Sequence, residues 1–225
     1  MEKMMKTKTL VTTMALTGAL IAATTTVKAN PELELISGSS SVIVTAASAD
    51  GTVTYDCPIG QWNVNVSTGE NDLGGITTPM IDLNSLDTAK GYAGTLQSIE
   101  ILYTALEPAS AAGGITGEIG GTTTTTVTDW QWLGYSPFAK TQLLTEVGPF
   151  TKGAFSGTAY GTTGTPDGSY WLTEDVLISG GITKATESSS FDSNSSVPDG
   201  GMTIAMLGSV LAGLGAIRSR IGKRA

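Results

Sequence analysis

The sequence predicts an all-β fold, an antiparallel β-sandwich of jelly-roll or Ig-like type, flanked by an N-terminal signal helix and a C-terminal transmembrane helix. Three observations predict it. Between Asn30 and Ser196, apolar residues recur at every second position in short runs, the period of a strand with one buried face. Gly, Pro, Asn and Asp punctuate those runs, as turns require. No helical period of useful length interrupts them, apart from a turn near Leu83 to Ala89, and the two stretches of different character stand at the ends.

The first element is MEKMMKTKTLVTTMALTGALIAATTTVKAN, with Lys3, Lys6 and Lys8, an acid-free core from about Leu10 to Ala23, and Val27-Lys28-Ala29. That is the three-part layout of a secretory signal peptide, cleaved after Ala29 or, as a variant, after Ala23. The core is short for a permanent span. Signal peptidase and the Sec translocon are the partners this segment implies.

Strands follow at SVIVTA, TVTYDC, QWNVNVS and QSIEILYTA, and later at TTTTVTDWQWL, TQLLTEV, FSGTAYG and SYWLTEDVLI. Val42 and Val44, then Trp62, Val64 and Val66, then Ile99, Ile101 and Tyr103 are the expected inward faces. Thr165 to Gly168, TPDG, has hairpin chemistry. From Tyr170 to Ile178 both faces are mixed, so alternation alone does not choose the inner one. Cys57 is the only cysteine; it alternates with Val53 and Tyr55, which predicts a reduced, buried small hydrophobe. No internal disulfide can form.

At the far end, Met202 to Ile217 holds only Thr203 and Ser209 as polar residues and no charge. At 1.5 Å per residue this apolar helix reaches about 24 Å, short of the roughly 30 Å hydrocarbon core. Arg218, Arg220, Lys223 and Arg224 follow at once, and by the positive-inside rule they keep the C-terminus cytoplasmic and the bulk of the chain outside. In front stand Val197, Pro198, Asp199, Gly200 and Gly201, an extended, bendable strip suited to an enzyme groove. The expected organisation is a signal peptide at 1–29, an exported sandwich at 30–187, a Ser-rich linker at 188–196 and a tail at 197–225. Within the tail the motif takes 197–201, the helix 202–217 and the basic segment 218–225.

Motif, short apolar helix and Arg-rich end, in that order, resemble the C-terminal sorting signal of bacterial PEP-CTERM proteins, in its VPDSG-CTERM variant. Gly200 replaces the usual Ser, small for small. The resemblance implies recognition by an exosortase, a multi-spanning membrane cysteine enzyme that would process the tail. It also implies export through an inner-membrane-anchored precursor to the cell surface or extracellular matrix. GQWNVNVSTG, PMIDLNS, GTLQSIEI, GPFTKGAFSGTAYG and YWLTEDVLI resemble, in order, a β-rich domain of other exported proteins with such tails, a domain without an assigned activity.

Chemistry is sparse between the two ends. From Asn30 to Asp199 the chain carries 19 acids and four lysines, Lys90, Lys140, Lys152 and Lys184, a net charge of −15. Such a surface repels phosphate backbones, which argues against nucleic-acid binding. The chain has no histidine, so a Ser-His-Asp triad, a Cys-His pair and a His-ligated metal site are all excluded. AAGGITGEIGG lacks the Lys and the strand-then-helix context of a phosphate loop and reads as a loop. Glu70-Asn71-Asp72 and Asp192 with Asn194 offer oxygen atoms but not the spacing of a calcium loop, so no metal, cofactor or catalytic residue is expected. Glu174 and Asp175 are adjacent and would face opposite sides of a strand, which disfavours a two-carboxylate glycosidase. The hydroxyl-rich run Thr122 to Thr126 reads as a solvated strand edge, with O-glycosylation as the alternative. The four tryptophans, Trp62, Trp130, Trp132 and Trp171, read first as buried core anchors; Trp130 and Trp132, which share one strand face beside polar Asp129 and Gln131, are the candidate ligand residues. The sequence therefore points to an exported surface or matrix protein, not an enzyme, structural or adhesive and associated with exopolysaccharide or biofilm. A carbohydrate-binding module is the alternative, and a glycoside hydrolase a distant third.

Overall fold

Period-two sequence becomes strand wherever turn residues bound it, and the described residues form twelve strands and no helix. The computed structural model describes residues 29–47, 51–70, 80–89, 94–107, 113–183 and 186–196. The expected signal helix, Asn71 and Asp72, and the whole tail from Val197 onward lie outside these residues. No described helix is long and apolar enough to cross a membrane.

The first strands are β1 (Glu32–Ser37), β2 (Ser40–Thr45), β3 (Thr54–Ile59), β4 (Trp62–Glu70), β5 (Met80–Ala89) and β6 (Gly94–Thr95). After them come β7 (Ile99–Glu107), β8 (Gly114–Gly134), β9 (Gln142–Thr162), β10 (Tyr170–Ser179), β11 (Ile182–Thr183) and β12 (Glu187–Ser196). Ten of these strands form one antiparallel sheet in the order β2-β1-β7-β10-β8-β12-β5-β4-β3, with β9 also paired to β8, while β6 and β11 make a separate small ribbon.

The 21-residue β8 folds that sheet into two layers. Its first half, Thr116 to Thr123, pairs with β12, and its second half, Thr126 to Gly134, pairs with β10. The first layer is therefore β2-β1-β7-β10 with the end of β8, and the second is β3-β4-β5-β12 with its beginning. Strands β4 and β5 pack on β7, β12 on β10, and β3 on β1 and β2, so the far margins of the two layers also approach each other. The bend falls where β8 and β9 lose register, between Thr123 and Thr126. Opposite it, β9 carries Gly148 at φ 109° and Gly153 at φ 108°, backbone that a side chain would strain. The threonine run is thus the corner of the sandwich, where β-branched residues keep the backbone extended.

Alternation fills the space between the layers. Leu33 and Leu35, Trp62, Val64 and Val66, Ile81 and Leu83, Ile99, Ile101 and Tyr103, and Tyr170, Leu172, Val176 and Ile178 all belong to one buried core. Each such aliphatic contributes roughly 1.5–3 kcal/mol relative to leaving it exposed. The expected inward faces of β4 and β7 are therefore found, and Val42 and Val44 pack partly buried against the same core. On β10 the even-numbered residues face in.

Five sequence expectations are corrected. The linker placed at 188–196 is β12, a central strand between β5 and β8 with Ser189, Ser193 and Ser195 buried; serine there reads as linker composition, but its small side chain also fits a crowded interior. The loop read in AAGGITGEIGG becomes strand from Gly114 onward. A Cβ on Gly121 would lie 2.1 Å from the Ser190 carbonyl oxygen, so this glycine permits close approach of backbones. The turn near Leu83 to Ala89 is part of β5, and TQLLTEV and FSGTAYG are one strand, β9. Cys57 is exposed rather than buried. It pairs with Val64 and so lies on the inner face, as its alternation predicts, but β3 ends the sheet, so no further strand covers its free side.

Candidate functional site

Within β8 the inward positions are Val127, Asp129, Gln131 and Leu133, all buried, so Trp130 and Trp132 stand on the outer face, half-buried. Register sets Trp130 across from Asp175 and Trp132 across from Thr173. The Trp132 Nε1–H donates to Asp175 Oδ2 at 3.2 Å. Lys140, from the connection between β8 and β9, places Nζ 2.7 Å from the same oxygen and 2.5 Å from Glu100 Oε1 on β7. Two donors thus converge on one oxygen of a carboxyl that is only 2% exposed. Burial pushes Asp175 up to about 6 against the pull of Lys140. Burial also disfavours the Lys140 cation, but Asp175 and Glu100 together outweigh it and hold the amine above the ordinary lysine value. Glu34 on β1 is raised too, by burial and then by Glu100. Trp171 is half-buried on the same outer face, and Tyr135, 62% exposed, follows directly after β8. The fourth tryptophan, Trp62, belongs to the core and donates Nε1–H to the Gln97 carbonyl at 2.8 Å.

Glu174 and Asp175 do face opposite sides. Glu174 points into the sandwich, where it meets Ser193 of β12 and lies near Asp129 of β8. The Ser193 hydroxyl also stands 3.1 Å from Asp129 Oδ2 and 3.1 Å from the Glu118 carbonyl, and Gln131 Nε2 donates to Asp129 Oδ2 at 2.8 Å. A serine has one hydrogen to give, so with acceptors on three sides at least one carboxyl must supply its own. Burial, and then the charge of Asp129, hold Glu174 well above the usual carboxylate range, while the Ser193 hydroxyl that donates to it pulls the other way. Burial pushes Asp129 up to about 7, offset by Ser193 and Gln131. Both carboxyls are fully shielded from solvent.

The outer face of the second layer is polar. Asn84 Nδ2 donates to Asp82 Oδ1 at 2.9 Å, and Asp82 is raised by burial and then by Asp192. A shallow groove of about 370 Å³ runs past Asn65, Ser67, Asn84, Gly120 and Asp192. Tyr160, 80% exposed, stands on β9 opposite Thr116. Asp192 and Asn194 lie on this face, but among the described residues no group of three or more His, Cys, Asp or Glu is placed to hold a metal.

The structure therefore sets Trp130 and Trp132 on one outer face, with Asp175 bonded to Trp132 and Lys140 and Glu100 linked to it, a grouping of these last three that the sequence did not single out. A lone lysine between two strands gives no such signal. The polar face of the second layer was legible in principle, in the alternating amides and acids of Asn63, Asn65, Asp82, Asn84, Asp192 and Asn194.

No curated protein matches the chain. Among solved structures, the enzymatically active domain of bacteriophage CBA120 tailspike protein 4 matches at 11% identity and a TM-score of 0.31, covering 64% of this chain and 21% of that one. The carbohydrate-binding module TmCBM27, described for specific mannan recognition, matches at 11% identity and a TM-score of 0.28, covering 72% and 96%. The chain thus spans about a fifth of the tailspike domain and nearly all of the module. Residues 196–221 match the family described as the VPDSG-CTERM motif, so that the segment directly after β12 carries a sorting signal of PEP-CTERM type.

Proposed function

We propose that this protein is exported, held in the inner membrane by its C-terminal helix, and processed by an exosortase-type enzyme at Val197 to Gly201, to reside at the cell surface or in the extracellular matrix. The observation that carries the reading is the sorting motif at residues 196–221, set where the last strand of the sandwich ends. A 16-residue span rich in Gly, Ala, Ser and Thr is a marginal anchor, and the cations behind it keep its end inside, so the membrane stage is temporary. In a host with an exosortase, Pro198→Ala with Asp199→Ala should leave full-length protein in the membrane fraction. Intact-mass analysis of the wild-type surface form tests this; a surface form that retains Met202 to Ala225 would make the tail a plain anchor.

The role of the exported sandwich is structural or adhesive rather than catalytic, in contact with exopolysaccharide. Trp130 and Trp132, side by side on an outer sheet face, favour contact through sugar stacking. The same observation favours a carbohydrate-binding module as the second reading. Retention on immobilised polysaccharide that disappears in Trp130→Ala plus Trp132→Ala supports the contact, and hydrolysis of the polysaccharide by purified protein would overturn the non-catalytic role.

A further inference from the structure

We propose that Lys140 and Asp175 become joined by an amide bond, an intramolecular isopeptide crosslink that ties the connection between β8 and β9 to the middle of β10. The reacting groups are in place. Lys140 Nζ lies 2.7 Å from Asp175 Oδ2, which sets it beside the carboxyl carbon, and Glu100 Oε1 touches the same Nζ. Trp132 Nε1–H points at Asp175 Oδ2, and Asp175 Oδ1 is buried without a hydrogen-bond partner.

Each contact has a part in the condensation. An ammonium cannot attack, and the two carboxyls hold Lys140 above the ordinary lysine value, so the step needs Glu100, in contact with Nζ, to take a proton from it. The free amine adds to the Asp175 carboxyl carbon in its acid form, which burial favours. Charge then develops on Oδ2, where the Trp132 N–H is already aimed. The new Nζ–Cγ bond forms, the Cγ–Oδ1 bond breaks, and Oδ1, with its acid hydrogen and the proton that Glu100 carried, departs as water, while the second proton that Nζ loses returns to Glu100. Nothing is oxidised or reduced and no further reagent enters. Lys140 and Glu100 are 33% and 30% exposed, so the water has a way out. Holding amine, acid and proton carrier in contact supplies the proximity that makes such a step feasible without an enzyme. In a chain whose one cysteine excludes an internal disulfide, the bond would restrict the unfolded chain as a disulfide does.

Mass spectrometry of the purified full chain decides the matter. Trypsin should fail to cut after Lys140, and the peptides 91–152 and 153–184 should appear as one branched species, lighter than their sum by one water. Lys140→Arg and Glu100→Gln, each with wild-type circular dichroism, should give linear peptides only. Should Lys140→Arg fold poorly, Glu100→Gln alone still decides, since it keeps both joined residues. Folded wild-type protein cleaved normally after Lys140 would leave an ion pair only and overturn the proposal, as would a water loss that persists in Lys140→Arg.

Discussion

Ser193 on β12 and Glu174 on β10 meet side chain to side chain in the middle of the sandwich, although they belong to opposite layers. Their contact, with Asp129 and Gln131 beside it, replaces apolar packing between the two layers. A proton is part of that arrangement, which ties stability to pH.

The folded protein should be more stable in mild acid than above neutrality. Asp129 and Asp87 are pushed up to about 7, both mainly by burial, and Glu174 is raised as well. Raised carboxyls bind protons more tightly folded than unfolded, so their contribution is full below the unfolded values and is lost as pH rises from about 4 through about 7. The urea midpoint should therefore fall between about pH 5 and about pH 8, at up to roughly 1.4 kcal/mol per pH unit for each group. Asp129→Asn should flatten the profile; an unchanged profile would mean that these groups titrate normally.

Gly121→Ala should destabilise the sandwich by about 1–3 kcal/mol, the usual cost of overpacking. Its new Cβ would meet the backbone of Ser190 and Phe191 on β12, and backbone in a paired central strand has little room to give. Gly153, whose added Cβ would meet nothing within 4 Å, adopts φ 108°, so an alanine there probes strain alone. Thermal melts of the two variants separate the two costs.

Trp132→Phe should keep most of the aromatic surface and remove one donor from Asp175. Asp175 then relies on Lys140 alone in a nearly closed environment. The expected loss is about 1–3 kcal/mol, the cost of leaving a buried polar oxygen without one of its partners. A melting temperature equal to wild type would show that water replaces the indole.

Cys57 should react with a thiol reagent in the native protein as fast as in unfolded protein. It is exposed on β3 at the end of the sheet. Cys57→Ser should change stability by no more than about 0.5 kcal/mol. Slow labelling of native protein would place something over β3.

A chain ending at Ser196 should fold, and one ending at Thr186 should not. The second lacks β12, which joins β5 to β8 and carries Phe191 of the core. Circular dichroism and proteolysis distinguish them. The same argument requires that processing at the tail spare β12, since the motif begins where the strand stops.

By itself the sequence determined the strands whose alternation is apolar against polar, among them the buried runs of Trp62 to Val66 and Ile99 to Tyr103, because period two with β-branched residues has few other solutions. It also determined the sorting tail, whose meaning lies in linear order. Only the tertiary structure decided the faces and roles of residues whose local signal is ambiguous. Serines from Glu187 to Ser196 read equally as linker or as strand until β5 and β8 supply partners for their backbone. Cys57 shares a face with buried valines, yet its place in the strand order leaves it uncovered. Glu174 carries no local sign of burial, and Lys140, Glu100 and Asp175 are far apart in the chain; pairing of β7, β10 and β8 brings these last three together. Burial depends on what lies opposite a side chain, and that is fixed by strand order and by the bend in β8, neither of which is written in the alternation of a single strand.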